Sequence, residues 1–564
     1  MNRADRRRED KLQREGGRIT QAALSRLLQE GRAHHQAGRL TEAATIYQTV
    51  LEQQPDHAEA AHLLGLVAYR SGRLDEACEL IRLAIRSDNA QPTYYFNLGV
   101  VSQRKGAIAE AAEAYREAIA RQPRHVDALV NLGNLLREQG QAAEAVELYR
   151  RALAANPAAV EAHNGLGVAL KEQGLAREAI EEYREALRLK PGHVEAQNNL
   201  GLAWMESGRL DEAVAAFERA VHTEPANPKG HYHLGLAYLW KGEIEAAVAS
   251  LKRSADIKHD HGRPVAGGTI SRARLKHEAE QVGYLIKEGL LGPDSRDYLD
   301  RLRRIREKVD AAAPHSTWVS LQADETAAIA PSLNRILFPS RADRLEAGAL
   351  NPHLDVAAIE ADYHRQKPEI MYVDHLLTPE ALAAMRRFCL EATIWKKEYE
   401  NGYLGAFIGD GFATPLLFQI AEELRLRFPG IFKEHRLTQA WSFKHDSARR
   451  GLGMHADAAA VNVNFWITPD EANLDPETGG LVVWDKEAPR DWNFKAYNSE
   501  KNRGKILDFL EQGGAKMVRI PYRCNRAVIF NSDLFHETDD VRFQDTYLSR
   551  RINITLLYGF RAQS

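Results

Sequence analysis

The chain has 564 residues, 75 of them Lys or Arg against 78 Asp or Glu, with a formal net charge of −3 and 44% hydrophobic residues. That length argues for roughly two to four domains of ordinary soluble composition, and the balanced charge excludes a nucleic-acid binder driven by phosphate neutralisation. No apolar run reaches the roughly 18 residues a membrane-spanning helix needs, and Cys78, Cys389 and Cys524 form neither a disulfide framework nor a zinc ribbon, which fits a reducing cytoplasm.

The first twenty residues carry seven basic and four acidic side chains and lack the apolar core of a secretory signal. Residues 1–23 are therefore expected to be a charged, disordered lead. From residue 24 to 261 one pattern dominates. Gly31, Gly65, Gly99, Gly133, Gly167, Gly201 and Gly235 follow one another at 34-residue intervals. Each is followed by an alanine (Ala43, Ala77, Ala111, Ala145, Ala179, Ala213, Ala247) and then by a large residue (Tyr47, Ile81, Tyr115, Tyr149, Tyr183, Phe217, Leu251). Pro55, Pro123, Pro157, Pro191 and Pro225 close most units. The spacing predicts pairs of amphipathic helices that cross closely at the small residues and end at the prolines, with each pair burying its apolar face on the next. The seven units resemble tetratricopeptide repeats, which implies an all-α superhelix with a channel for a protein or peptide client.

Asn97, Asn131 and Asn199 share one phase of this repeat, in the sequence Asn-Leu-Gly. Two readings stand: solvated helix-face residues, or rungs whose amides pair with an extended peptide backbone. The second is similar to the asparagine ladder of O-linked N-acetylglucosamine transferase repeats. The ladder is interrupted by Gly165 in the fifth repeat and His233 in the seventh.

Residues 262–368 read as helical cap and linker, with helices over Lys276–Gly289 and Ser295–Ala313 in a polar cap on the last repeat. From 369 to 564 the period changes. Helices are predicted over Pro379–Leu390, capped by Thr378, and over Pro415–Arg427. Strands are predicted over Leu437–Lys444, Ala460–Thr468, Gly480–Trp484, Met517–Pro521, Arg526–Asn531 and Arg551–Phe560. Short strands between Gly, Pro, Asp and Asn loops indicate an antiparallel sandwich or barrel within an α+β domain.

In that domain His455 and Asp457 are two residues apart, so an extended chain points both the same way, and His536 stands 79 residues beyond Asp457, following its own strand in AVIFNSDLFHET. Two imidazoles and one carboxylate suit a ferrous ion with open coordination positions. His-x-Asp alone is cheap: His125-Val-Asp127, His353-Leu-Asp355, His57-Ala-Glu59 and His193-Val-Glu195 lie at repeat junctions or in the linker and read as structural. Only the 455 copy leads into an alternating strand. Fifteen residues after His536 comes Arg551-Ile-Asn553-Ile-Thr555, where parity puts Arg551, Asn553 and Thr555 on one face and Arg550 on the other. An arginine buried on a strand face needs an anion.

This set resembles the iron(II)/2-oxoglutarate-dependent dioxygenases on a double-stranded β-helix (jelly roll). Tyr372–Glu380 looks like the opening of prolyl-4-hydroxylase-type domains, Gly479-Gly480-Leu-Val-Val-Trp484 like the strand after their lid loop, and Arg551-x-Asn553 like the cosubstrate strand of the AlkB-like branch. The resemblance implies Fe(2+) on His455, Asp457 and His536, 2-oxoglutarate as cosubstrate with its distal carboxylate on Arg551, and O2 as oxidant. Asn553, Asn464 and Thr555 fall among the cosubstrate-binding residues it implies. Asn462 and Asn464 read as partners of cosubstrate or ligands, or as a solvated polar face. The usual tyrosine before the first ligand is replaced by Trp441 and Phe443, with Lys444 after them, so the hydroxyl partner of the cosubstrate is Ser442 or Thr555. Trp492, Phe494 and Tyr497 in the polar insert after Trp484 read as lid or as surface packing, and Trp395, Tyr399 and Tyr403 as core or rim.

The sequence thus leads to a cytoplasmic enzyme, a 2-oxoglutarate-dependent dioxygenase of hydroxylase type whose repeats recruit a protein or peptide client. It binds no nucleic acid and no membrane. An oxygenase acting on a small molecule with the repeats serving assembly, and a non-catalytic repeat scaffold with an inactive jelly roll, are the alternatives.

Overall fold

A computed structural model describes residues 21–259, 268–312, 316–365, 367–399, 402–433, 435–446, 448–449, 453–489, 492 and 502–560. The chain divides into two compact units, 1–208 and 209–564. Fourteen helices run from Gln21 to His259, eleven in the first unit and three in the second. The first begins at Gln21, so part of the expected lead is helical; residues 1–20 lie outside the described residues.

The repeat glycines are contact points. A Cβ on Gly99 would stand 2.5 Å from the Tyr115 ring, one on Gly133 2.8 Å from Tyr149, and one on Gly167 2.5 Å from Tyr183. The large residue at its fixed phase therefore lies directly on the glycine helix, and both are buried. A second glycine series closes the first helix of each pair: Gly106 and Gly242 take the left-handed conformation, each with φ +84°, that a Cβ would disfavour.

In the second unit β1 (Thr269–Ser271) pairs with β2 (Trp318–Ser320) beside helices Arg272–Lys287 and Ser295–Ala312. The remaining strands are β3 (Ile370–Val373), β4 (Lys397–Glu398), β5 (Tyr403–Phe407), β6 (Leu437–His445), β7 (Ala448–Arg449), β8 (Val461–Trp466), β9 (Leu481–Glu487), β10 (Met517–Ile520), β11 (Ala527–Asn531), β12 (Leu534–Thr538), β13 (Val541–Arg542) and β14 (Ile552–Tyr558). Among the described residues they form an antiparallel sheet in the order β3-β11-β8-β14-β6-β5-β4, a second in the order β10-β9-β12, and the pair β13-β7. One apolar core joins the two larger sheets: Trp466, Val528 and Phe530 from the first, Leu481, Val483, Ile520 and Leu534 from the second. Helix Arg503–Gln512 covers the back of the smaller sheet through Ile506 and Leu510.

Both helices predicted ahead of the strands are present, at Pro379–Glu391 with Thr378 Oγ1 accepting from Ala381 N–H, and at Pro415–Arg427. One expectation is corrected here. AVIFNSDLFHET is two strands, not one: the chain turns after Asn531 and crosses from the seven-stranded to the three-stranded sheet, so His536 sits inside β12.

The polar helix expected to cap the last repeat packs instead on the β-rich region. From Arg272–Lys287, Gln281 donates to Leu390 O at 3.0 Å and Ala392 O at 2.9 Å, Arg274 donates to Leu333 O at 2.6 Å and to Trp395 O, and Glu280 pairs with Arg550 at 2.5 Å. Glu278 lies buried between Arg274 at 3.3 Å and Lys396 at 3.6 Å. Burial lowers the Lys396 pKa to about 7. No helix among the described residues is long and apolar enough to cross a membrane. All three cysteines are free, Cys78 and Cys389 buried and Cys524 partly so.

Candidate metal centre

His455, Asp457 and His536 come together. One potential ligand atom from each lies within 4.8 Å of the others. The backbone dictates this: His455 and His536 face each other across an antiparallel bridge, N–H to O at 3.0 and 2.8 Å, while Asp457 N–H donates to Ser532 O at 3.1 Å. Each imidazole turns Nδ1 to a carbonyl two residues back, His455 to Gly453 O at 2.8 Å and His536 to Leu534 O at 3.0 Å. That fixes the tautomer and leaves both Nε2 atoms on the Asp457 side, 3.9 and 3.4 Å from its carboxylate oxygens. Asn462 donates to Asp457 Oδ2 at 2.8 Å.

Electrostatics suit a cation. Burial and the adjacent His536 ring lower the His455 pKa to about 4, so it is neutral, the form that ligates a metal. Burial alone would push the Asp457 carboxyl up, but the two adjacent imidazoles and the Asn462 amide more than offset this and hold it below the ordinary carboxylate range. Two nitrogens and one carboxylate oxygen gathered on one side fit iron(II) with positions left open.

A polar stripe leads away from this cluster along the face of β8 and β14 that meets the smaller sheet. Asn464 donates to Thr555 Oγ1 at 3.0 Å, Asn553 to Thr555 Oγ1 at 3.4 Å, and Arg551 to Asn553 Oδ1 at 3.2 Å. Arg551, 1% exposed, also donates to Gly479 O at 2.6 Å and Gly480 O at 3.2 Å. It forms no ion pair among the described residues, and burial lowers its pKa to about 10. Its neighbour Arg550 points the other way and is fully served, by Glu280 at 2.5 Å and Asp446 at 2.7 Å. Asn462 Oδ1, Asn464 Oδ1 and Trp466 Nε1 are buried on the stripe with no hydrogen-bond partner among the described residues. The buried guanidinium and the Trp466 Nε1 donor fit a small polar anion such as 2-oxoglutarate, whereas the two amide oxygens can only accept. Gly480, which Arg551 contacts, is three residues along from Val483, which pairs with His536. On an extended strand that is about 10 Å, the scale of a chelating five-carbon dicarboxylate.

Arg551, Asn553, Asn464 and Thr555 therefore share the face their parity predicted, and Asn462 and Asn464 are buried rather than solvated. Ser442 does not join them. It stands opposite Ile554, on the other face of its strand, and donates to Asn553 O at 2.7 Å, which removes it as a cosubstrate hydroxyl. Trp492 packs on Phe509 and Phe535 behind the smaller sheet; Phe494 and Tyr497 lie outside the described residues. Trp395 is core, whereas Tyr403 shares the inner face of the large sheet, stacked on Tyr399 at 4.5 Å. The decoy motifs are helix starts: Nδ1 of His57, His125 and His193 accepts from the backbone N–H three residues on, and Asp355 does the same for Ala358.

In the repeats, Asn97, Asn131 and Asn199 are half-buried and already bonded sideways. Asn97 meets His62 Nε2 at 2.7 Å, Asn131 the Tyr115 hydroxyl at 3.5 Å, and Asn199 Asn164 Oδ1 at 2.9 Å. Gly165 breaks the series because a Cβ there would stand 2.6 Å from the Tyr149 ring. His62 also lines a cleft of about 1030 Å³ that sequence reasoning missed, with His35, His57, Tyr69, Arg70 and Tyr94.

Burial holds the His62 pKa at about 4, against 6.5 for the free side chain. The stability this neutral ring contributes is complete above pH 6.5 and is lost as pH falls toward 4, by up to ~3 kcal/mol. Denaturant unfolding of the repeats followed by circular dichroism should show His62→Gln losing less stability than wild type between those pH values. Parallel losses would contradict the assignment.

With the geometry in place, the comparisons define the class of the N-terminal region. Residues 28–92, 96–160, 130–194, 164–230 and 205–267 match tetratricopeptide-repeat families, so this region is a tetratricopeptide array, a protein-interaction fold. No curated protein matches the chain. Among solved structures, it is similar to the MamA protein (26% identity, covering 30% of this chain and 91% of that one, TM-score 0.27). It is also similar to a tetratricopeptide repeat protein from Parabacteroides merdae (18%, 42% and 93%, TM-score 0.36) and to YrrB, a repeat protein with an unusual peptide-binding site (23%, 33% and 95%, TM-score 0.28).

Proposed function

We propose that this chain is a cytoplasmic iron(II)- and 2-oxoglutarate-dependent dioxygenase, a hydroxylase with a jelly-roll core, whose tetratricopeptide repeats recruit a protein or peptide client. The observation that carries the reading is a His-Asp-His cluster with a buried, anion-free arginine at a cosubstrate's length from it. Bound iron(II) and 2-oxoglutarate supply the oxidative decarboxylation to succinate that lets O2 oxidise a C–H bond.

The chain's own residues do the positioning. His455, Asp457 and His536 hold the ion from one side, their orientation set by Gly453 O, Leu534 O and the Asn462 amide. Arg551, braced on Gly479 O, Gly480 O and Asn553, takes the distal carboxylate. Asn464 and Thr555 offer hydrogen bonds along the cosubstrate, within a core that excludes bulk water. His455 keeps 15% of its side chain exposed, which is the side open to an incoming client. The aromatic and cationic lining of the repeat cleft offers stacking and polar contacts to an extended peptide, and the Asn97, Asn131 and Asn199 amides reach one only by giving up their present partners.

Succinate release with added Fe(II), 2-oxoglutarate and ascorbate is expected from the wild-type chain and is expected to fall to background in His455→Ala. Equal turnover in both would refute the reading.

A further inference from the structure

The far end of the polar stripe holds a group with no role so far. His445, the last residue of β6, is 3% exposed, and its Nε2 is buried with no partner among the described residues. Its backbone N–H donates to Arg551 O at 3.0 Å, and Phe443 of the same parity stands opposite Asn553. The imidazole is therefore on the same face as Arg551, next to it across the β6–β14 seam. Its ring stacks on Tyr403 at 5.2 Å and engages the Asn553 side chain. Tyr403, 4% exposed, closes this corner from solvent.

Burial and the positive field of Arg551 keep the ring neutral. In the Nε2–H tautomer it is a donor, not a second cation. Two buried groups thus meet in one corner, a guanidinium with no carboxylate and an imidazole whose Nε2 has no acceptor among the described residues. A corner of that kind is costly unless an acceptor with several lone pairs enters it.

We propose that His445 and Arg551 together clamp the distal carboxylate of a 2-oxo dicarboxylic acid, His445 donating through Nε2 where β6 itself carries no tyrosine. This rests on the oxygenase reading above and goes beyond it in naming the residue that selects a dicarboxylate over a monocarboxylate. The selection follows from chemistry: a 2-oxo acid without the second carboxylate gains nothing from either donor.

The test is binding, not turnover. Full-length protein loaded with Mn(II) is titrated calorimetrically with 2-oxoglutarate and, separately, with 2-oxobutyrate. His445→Phe is expected to weaken 2-oxoglutarate binding by roughly tenfold or more, the loss of one charge-assisted hydrogen bond. Its affinity for 2-oxobutyrate should stay at the wild-type value. His445→Gln, which keeps an N–H donor, should stay within a few-fold of wild type and so separates lost recognition from lost folding. Wild-type affinity for 2-oxoglutarate in His445→Phe, or an equal loss for both acids, would overturn the role of His445 alone. No saturable binding of 2-oxoglutarate by the Mn(II)-loaded wild type would overturn the oxygenase reading along with it.

Discussion

Gly480→Ala is expected to unfold the β-rich region or to lower its stability by about 4 kcal/mol or more, at the upper end for a single substitution. A Cβ at this position would stand 1.9 Å from Ile520 O and 2.8 Å from both Pro521 C and Tyr522 N, all backbone atoms that cannot swing aside. Relief requires β9 to part from β10, starting at the Leu481–Ile520 pair. The same shift would pull Gly480 O away from Arg551 at 3.2 Å and from Asp539 N–H at 3.3 Å, so the damage reaches the polar stripe. Gly479→Ala is expected to be milder, about 1–2 kcal/mol, since its demand is a left-handed backbone with φ +81°. Chemical denaturation of the two variants checks the ranking. A Gly480→Ala chain as stable as wild type would mean that the strands do not approach this closely.

Arg551→Met is expected to weaken 2-oxoglutarate binding by about 100-fold or more while moving the Tm of the ligand-free protein little. The asymmetry follows from what surrounds the guanidinium. Removing it takes the Arg551 donor from Gly479 O, a cost of about 1–3 kcal/mol at most, while Gly480 O keeps the Asp539 N–H at 3.3 Å. It also removes a buried charge that forms no ion pair among the described residues, and this gain runs the other way. Arg550→Met is the control. That substitution strands Glu280 and leaves Asp446 to Lys276 at 3.0 Å, and is expected to cost about 3–5 kcal/mol with no direct effect on the cosubstrate. Calorimetric titration and thermal melts of both variants separate the two arginines. Equal destabilisation would show that Arg551 is structural.

How far the sequence could be read depends on how local the physics was. The repeats were legible because one close contact, glycine against Tyr115, Tyr149 or Tyr183, recurs at a fixed spacing. The inner-face grouping of Arg551, Asn553 and Thr555 was legible because strand parity is rigid. The end of the strand at Asn531 was legible, but β12 was not separated from it, because apolar residues on both sides of Asn531, Ser532 and Asp533 gave one continuous run. Helix Arg503–Gln512 hid in a polar insert with only Ile506 and Leu510 marking its buried side. His445 shared the parity of Trp441 and Phe443, yet its significance depends on Arg551, 106 positions away and beside it only once β6 meets β14. Glu278 and Arg274 looked like a solvated helix surface, since nothing local announces that a charge is buried with its partner.

The helix Arg272–Lys287 decides where the β-rich half could be severed. An excision at residue 369, where the periodicity changes, would take Arg550 away from Glu280, strip the carbonyls of Ala392 and Trp395 of their side-chain donors, leave Leu390 O to the Tyr547 hydroxyl alone, and expose Lys396 without Glu278. The smallest piece that retains these partners begins no later than Thr269. What reads as a tether between repeats and sheets is thus the footing on which the arginine pair of the last strand stands.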